Sequence, residues 1–193
     1  MAHHNIEIEI KVTVEHIEPL VAFLEKNGQR QPEQHQMDEY FCPAHRDFLK
    51  DRPVKEWLRL RDADGQSSVN YKNWHFDAKG NSHHCDELEI QCDRLDHMRS
   101  IFAALDFRSI VVVDKLRQTW IYQDYEVAID SVANLGEFVE IEYVGTDATA
   151  DPEPITEAMV NFLKTVGCGE IVRDYGGYPF LPLFLEEKQN AIQ

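Results

Sequence analysis

The chain has 193 residues, of which 43% are hydrophobic and 10% aromatic, so it can bury a sizeable core as one domain or two small ones. A formal net charge of −16 argues against a general nucleic-acid or anionic-membrane surface, because such surfaces are usually basic. No apolar run approaches the roughly 20 residues of a membrane span, and the polar start lacks the apolar stretch of a secretory signal. These features predict a cytoplasmic protein that binds neither nucleic acid nor membrane.

The first predicted element is a strand over residues 5–12, whose sequence NIEIEIKV alternates strictly between apolar and charged side chains. Side chains of a strand alternate between its two faces, so Glu7, Glu9 and Lys11 share one face while isoleucines occupy the other. Two carboxylates and an ammonium in a row are typical either of a solvated sheet face or of a site that holds a metal ion and an anion together.

A helix, a strand and a loop follow in chain order. Residues 14–28 carry apolar side chains at helical spacing and end in Asn-Gly, a common helix stop. Residues 35–43 predict a short strand that ends at a proline. The polar and irregular residues 44–53 predict a mobile loop.

The middle of the chain predicts a hairpin, another strand and a second helix. Residues 55–62 and 67–75 alternate in polarity and flank Asp64-Gly65, a strong hairpin signal. Residues 83–92 predict a further strand, and 93–107 an amphipathic helix.

Three more strands and a last helix complete the pattern. The strands are predicted over 109–123, 125–132 and 137–144, and the helix over 151–167. Eight mostly antiparallel strands with three helices predict an α+β fold in which the sheet forms a closed or nearly closed β-barrel with flanking helices. We expect residues 1–193 to form a single domain, because no linker or low-complexity tract interrupts them.

Like-charged residues spaced i, i+2 recur on these strands and therefore share a face within each pair. They are Glu7/Glu9, Arg59/Arg61, Glu87/Glu89, Lys115/Arg117 and Glu140/Glu142, joined by Lys11 and Lys72. A solvated face with cross-strand ion pairs explains any one pair. All five together favour a barrel interior, where carboxylates hold a divalent cation and the Lys and Arg side chains hold a polyanion.

The N-terminal E-x-E-x-K, the basic pairs and the late E-x-E of LGEFVEIE together resemble the CYTH superfamily, also called triphosphate tunnel metalloenzymes. The resemblance runs from Glu7 to about Tyr178. The superfamily includes class IV adenylate cyclases and thiamine triphosphatases. The resemblance implies an eight-stranded antiparallel tunnel that binds a triphosphate with Mg²⁺ or Mn²⁺.

Carried over by position, the resemblance assigns a role to each charged strand residue. The metal ligands would be Glu7, Glu9 and Glu140, with Glu142 as an auxiliary group. The residues that hold the phosphates and support catalysis would be Lys11, Arg59, Arg61, Lys72, Lys115 and Arg117. Further substrate contacts would come from Glu87, Glu89, Asp130 and Tyr175, and either Tyr175 or Tyr178 would close one tunnel mouth.

The resemblance favours an adenylate cyclase of class IV type, which converts ATP to cyclic AMP and pyrophosphate. A triphosphatase acting on thiamine triphosphate or inorganic tripolyphosphate would use the same charged tunnel. A non-catalytic polyphosphate-binding barrel is the alternative from another class, although it would gain nothing from a set of carboxylates around its ligand.

Overall fold

The computed structural model describes residues 5–146, 151–180 and 182–183. Its ten strands are β1 Asn5–Val14, β2 Gln29–Arg30, β3 Gln34–Pro43, β4 Glu56–Ala63, β5 Gln66–Phe76, β6 Ser82–Gln91, β7 Phe107–Tyr122, β8 Tyr125–Val132, β9 Gly136–Tyr143 and β10 Ile171–Arg173. Its three helices are α1 Glu18–Asn27, α2 Leu95–Ala104 and α3 Pro152–Val166.

Eight of the strands close into an antiparallel barrel. Going around the barrel, their order is β1, β6, β5, β4, β3, β7, β8 and β9, and β9 pairs with β1 to close it. The two short strands lie outside this ring: β2 pairs with the end of β7, and β10 pairs with the end of β1. The predicted α+β barrel with flanking helices is therefore confirmed.

Local sequence explains how the elements begin and end. Asp64 and Gly65 both have positive φ, as the tight turn between β4 and β5 requires, and this matches the predicted hairpin. Helix α3 is capped at its start by Asp151, whose side chain accepts a hydrogen bond from the Glu153 N–H, and at its end by Gly167 in the left-handed conformation.

The main apolar core lies outside the barrel wall, not in its lumen. Outward-facing side chains of β1, β7, β8 and β9 pack against α1 and α3, with Ile10, Trp120, Ile141, Leu24 and Met159 all 1% exposed or less. A smaller cluster joins α2 to the outer face of β3 and β4. Because the helices cover the apolar face of the strands, the alternate side chains are free to line a polar lumen.

Residues 44–53, predicted to form a mobile loop, contain no helix or strand, as expected of a loop. Their polar composition concealed one buried apolar side chain, Phe48, and Val54 directly after them is 1% exposed and packs against Tyr40 and Trp57. The mobility of the loop stays a prediction.

None of the three helices in the described part of the chain has the length and apolar character of a membrane span.

Candidate active site in the barrel lumen

The barrel encloses a cavity of about 330 Å³ that is lined mainly by charged and polar side chains. Almost all the residues singled out from the sequence meet on its wall: Glu7, Glu9, Lys11, Arg59, Arg61, Lys72, Glu87, Glu89, Lys115, Arg117, Glu140, Glu142, Tyr175 and Tyr178. Strand register explains the convergence, because directly opposed residues of antiparallel strands share a face. Glu9 lies opposite Glu142, and Lys11 lies opposite Glu140.

Lys72 connects the two N-terminal carboxylates. Its Nζ lies 2.7 Å from Glu7 Oε2 and 3.2 Å from Glu9 Oε2, with Glu87 Oε1 at 3.9 Å. The Cys85 thiol also donates to Glu7 Oε2, over 3.3 Å. These carboxylates, which come from neighbouring strands, therefore share one ammonium group.

The glutamates of the lumen fall into two electrostatic groups. Glu140 contacts Lys11 at 2.9 Å and Arg117 at 2.9 Å; burial opposes ionisation, but these cations hold its pKa well below the usual value. Burial raises the pKa of Glu9 to about 7, with Lys72 opposing and the neighbouring carboxylates of Glu7 and Glu140 adding to the rise. Burial raises the pKa of Glu142 to about 9, again with help from nearby glutamates. The part of the lumen around Glu9 and Glu142 thus has more carboxylate groups than its cations can neutralise.

Asp130 lies behind the basic residues of β7 and not on the cavity wall. It is fully buried, and it accepts hydrogen bonds from Lys115 at 3.2 Å, Arg117 at 2.6 and 2.7 Å, and the Tyr178 hydroxyl at 2.6 Å. Burial acts to raise its pKa, but Arg117 and Lys115 lower it to about 2. The sequence predicted that Asp130 contacts the substrate, and the structure places it one layer behind the cavity wall, where it holds the side chains of Lys115 and Arg117.

Burial and the adjacent Arg117 lower the pKa of Lys115 to about 7. Its side chain is 1% exposed, and the nearby Asp130 only partly offsets these effects. This amine can therefore lose its proton near neutral pH, unlike an ordinary lysine.

Three acidic residues at the lumen were not predicted from the sequence: Glu126 and Asp174 on the cavity wall, and Asp38 behind it. Asp38 is fully buried between Arg59 at 3.4 Å and Arg61 at 2.6 Å, and Glu126 lines the cavity on β8. Asp38 belongs to no like-charged doublet spaced i, i+2, and the acidic neighbour of Glu126 at that spacing, Asp124, lies in the turn before β8, so the search for doublets on strands included neither residue. The available signal was the alternation of side chains between the two faces of each strand. By this alternation Asp38 shares a face with Tyr40, and Glu126 shares a face with Asp130.

Tyr178 fills one side of the barrel end at which β1 finishes. It is 2% exposed, packs edge-on against Phe138, and lies under the ammonium groups of Lys11 at 4.2 Å and Lys115 at 4.9 Å. Tyr175 lies on the cavity wall beside the Arg173 guanidinium, 4.9 Å from its ring centroid. Of the two tyrosines predicted to close a mouth, Tyr178 is the one that is buried there.

The lumen is not a net positive channel. Seven basic side chains line the cavity against eight acidic ones, and Asp38 and Asp130 add two carboxylates behind the wall. A polyanion alone would therefore meet cations that are already paired. Binding of an anion is favoured only if a cation enters with it or carboxylates take up protons.

The residues present fit a hard divalent cation in their chemistry. Glu7, Glu9, Glu140 and Glu142 offer only carboxylate oxygens, which Mg²⁺ and Mn²⁺ prefer, and two of them are held with raised pKa values that a divalent cation would lower. Over the described ranges, however, no three Asp, Glu, His or Cys side chains are gathered as a ready-made metal cluster. A metal ion would thus draw these carboxylates together and take further ligands from the substrate.

A closed antiparallel barrel whose lumen combines paired carboxylates with paired Lys and Arg side chains defines a class of polyphosphate-binding tunnel proteins. The CYTH domain family model matches residues 5–171, and the chain belongs to this family. CYTH proteins as a family act on triphosphates with the help of divalent metals.

Individual relatives agree with this assignment. A protein of Methanocaldococcus jannaschii named "Putative adenylate cyclase" is 33% identical over 162 residues, which cover 83% of this chain and 89% of that protein. A solved structure from Pyrococcus horikoshii has a TM-score of 0.71 at 22% identity and covers 90% of this chain and 97% of its own. A Hippeastrum protein described as having a dominant triphosphatase activity has a TM-score of 0.63 at 19% identity, covering 94% and 96% of the two chains.

Proposed function

We propose that this protein is a divalent-metal-dependent enzyme that cleaves a phosphoanhydride bond of a nucleoside or other organic triphosphate. The observation that carries the proposal is the presence, in one lumen, of carboxylates from β1 and β9 beside Lys and Arg side chains from β4, β5 and β7. A divalent cation and a polyphosphate require these two sets of groups together.

The leading reaction is the cyclisation of ATP, in agreement with the name of the M. jannaschii relative. In this reaction the ribose 3′-oxygen bonds to the α-phosphorus, the bond from that phosphorus to the bridging oxygen breaks, and pyrophosphate leaves. A bound Mg²⁺ or Mn²⁺ would neutralise charge on the phosphate oxygens.

The chain's own residues would bind and orient the triphosphate. Glu7, Glu9 and Glu140 would hold the metal, with Glu142 beside them. Lys11, Arg59, Arg61, Lys72, Lys115 and Arg117 would offset charge on the transferring and leaving oxygens. Asp38 and Asp130 would fix the guanidinium groups of this set, because each accepts hydrogen bonds from them.

Hydrolysis of a triphosphate is the second candidate, and the activity described for the Hippeastrum protein of the same fold favours it. Here water would attack the terminal phosphorus. In either reaction Lys115, which donates to Asp130, would serve as one of the cations that offset phosphate charge.

Product analysis tests both candidates. The purified protein is incubated with ATP, thiamine triphosphate or tripolyphosphate and with Mg²⁺ or Mn²⁺, and the products are separated by chromatography. Cyclic AMP with pyrophosphate supports the cyclase, and orthophosphate supports the triphosphatase. The matched variants are Glu9→Gln, which should be inactive, and Glu157→Gln, an exposed glutamate of α3 that should retain full activity. Binding without any product would point to a polyphosphate-binding barrel and contradict the proposal.

A further inference from the structure

The ammonium group of Lys72 occupies the centre of the carboxylate set. Lys72 lies on β5 directly opposite Glu87 of β6, and its side chain reaches past β6 to β1, where it contacts both Glu7 and Glu9. In the part of the chain that the structure describes, no other cationic group lies within 4.0 Å of either carboxylate. The side chain is 13% exposed, so little water competes for these contacts.

This position conflicts with a metal ion on the same carboxylates. Glu7 Oε2 lies 2.7 Å from Lys72 Nζ. A Mg²⁺ or Mn²⁺ ion bonded to that oxygen at about 2.1 Å would lie within about 5 Å of the ammonium group. In a partly dehydrated lumen, two like charges at this distance repel strongly. The ammonium group must therefore move when a metal ion binds.

A triphosphate offers the ammonium group a new partner. The lysine side chain has four flexible carbons, so its charged end can turn from β1 into the cavity without movement of the strand. The other cations of the lumen already have partners, such as Asp38 for Arg61 and Asp130 for Lys115. Lys72 differs from Arg61 and Lys115 because both of its nearest partners, Glu7 and Glu9, are carboxylates that a metal ion would take.

We propose that Lys72 is a tethered cation that neutralises Glu7 and Glu9 in the substrate-free protein and transfers to the triphosphate when a metal ion replaces it. This inference rests on the proposed function. It makes binding of metal and triphosphate positively cooperative, because each ligand releases a group that the other needs. Metal alone binds weakly since it must displace Lys72 from Glu7 and Glu9 before a triphosphate is present to receive the ammonium group.

The test is a titration of metal-binding affinity without substrate. Free Mn²⁺ is measured by electron paramagnetic resonance as it is added to the wild type, to Lys72→Met and to Lys72→Arg at pH 8. Lys72→Met should bind Mn²⁺ about tenfold more tightly than the wild type, a typical size for such coupling, and Lys72→Arg should resemble the wild type. Lys72→Gln provides a second neutral variant if Lys72→Met does not fold.

Arg61→Gln is the matched control, because it removes one positive charge from the lumen but contacts Asp38 and neither Glu7 nor Glu9. Its Mn²⁺ affinity should stay within about threefold of the wild type, since the effect of a charge falls with distance. An equal gain in Arg61→Gln, or no gain in the neutral Lys72 variants, would overturn the inference.

The outcomes separate this inference from the proposed function. A tighter Lys72→Met variant in a protein that turns over no triphosphate would support the inference and contradict the enzyme. An active enzyme whose Lys72→Met variant binds Mn²⁺ no more tightly than the wild type would support the proposed function and contradict the inference. Absence of Mn²⁺ binding in every variant would overturn both.

Discussion

The most specific prediction concerns Glu9→Gln, which should stabilise the metal-free protein while it abolishes activity. Glu9 is 2% exposed, and burial followed by neighbouring carboxylates raises its pKa from 4.5 to about 7. Each pKa unit corresponds to about 1.4 kcal/mol, so the ionised side chain destabilises the folded state by about 3 kcal/mol at pH 8. Glutamine has nearly the same shape and no charge to bury.

The pH dependence follows from the direction of the shift. The folded protein binds the Glu9 proton more tightly than the unfolded chain does, so stability falls as pH rises from about 4.5 to about 7. Above this window the full destabilisation is present, and below it Glu9 is protonated in both states. Glu9→Gln should therefore raise the free energy of unfolding by up to about 3 kcal/mol at pH 8 and change it little at pH 4.

The assay is urea denaturation of the wild type and the variant in EDTA at both pH values. Glu140→Gln is the matched control of opposite sign, because Arg117 and Lys11 hold the pKa of Glu140 well below its usual value despite burial. This control should destabilise the protein at pH 8 and keep most of that effect at pH 4, because the effect is lost only as pH falls through the lowered pKa of the folded state. A loss of stability in Glu9→Gln at pH 8 would show that the contact of Glu9 with Lys72 outweighs the cost of burying the Glu9 charge, and would refute the reasoning.

Three further predictions concern ligands and the barrel end. In calorimetry, tripolyphosphate should bind at least about tenfold more tightly with Mg²⁺ than in EDTA, and AMP should compete poorly with it. If AMP competed equally well, the protein would recognise the base and not the phosphate chain. Tyr178→Phe removes the 2.6 Å hydrogen bond to Asp130 and should lower the free energy of unfolding by about 1–2 kcal/mol in urea, whereas no change would exclude that bond. Trp74 lines the cavity, where its ring can stack on adenine. Trp74→Leu should therefore weaken binding of ATP and leave binding of tripolyphosphate unchanged, and an equal loss of affinity for both ligands would contradict the stacking role.

Much of the fold could be predicted because alternation with period two is a local property of the sequence. The segments NIEIEIKV and EFVEIEYV each show one apolar and one charged face, and the structure turns the apolar face to the helices and the charged face to the lumen. The short strands β2 and β10 were not predicted, since two or three residues are too few to show a period.

The candidate site was predictable as a set of residues but not as a network. Which cation meets which carboxylate depends on strand register and barrel closure, and these are tertiary properties. Asp38 illustrates the difference: alternation in HQMDEY puts it on the same face as Tyr40, but only the register of β3 and β4 places it between two arginines. The roles of the residues in metal and phosphate binding remain predictions.

The central claim, that the lumen binds a metal ion and a triphosphate together, is tested most directly by a crystal structure with Mn²⁺ and tripolyphosphate. The anomalous signal of manganese should lie between the carboxylates of Glu7, Glu9 and Glu140, and the phosphates should contact Arg59, Arg117 and a Lys72 side chain that has left Glu7. Manganese or tripolyphosphate bound only outside the barrel, with Lys72 still paired to Glu7 and Glu9, would contradict the claim.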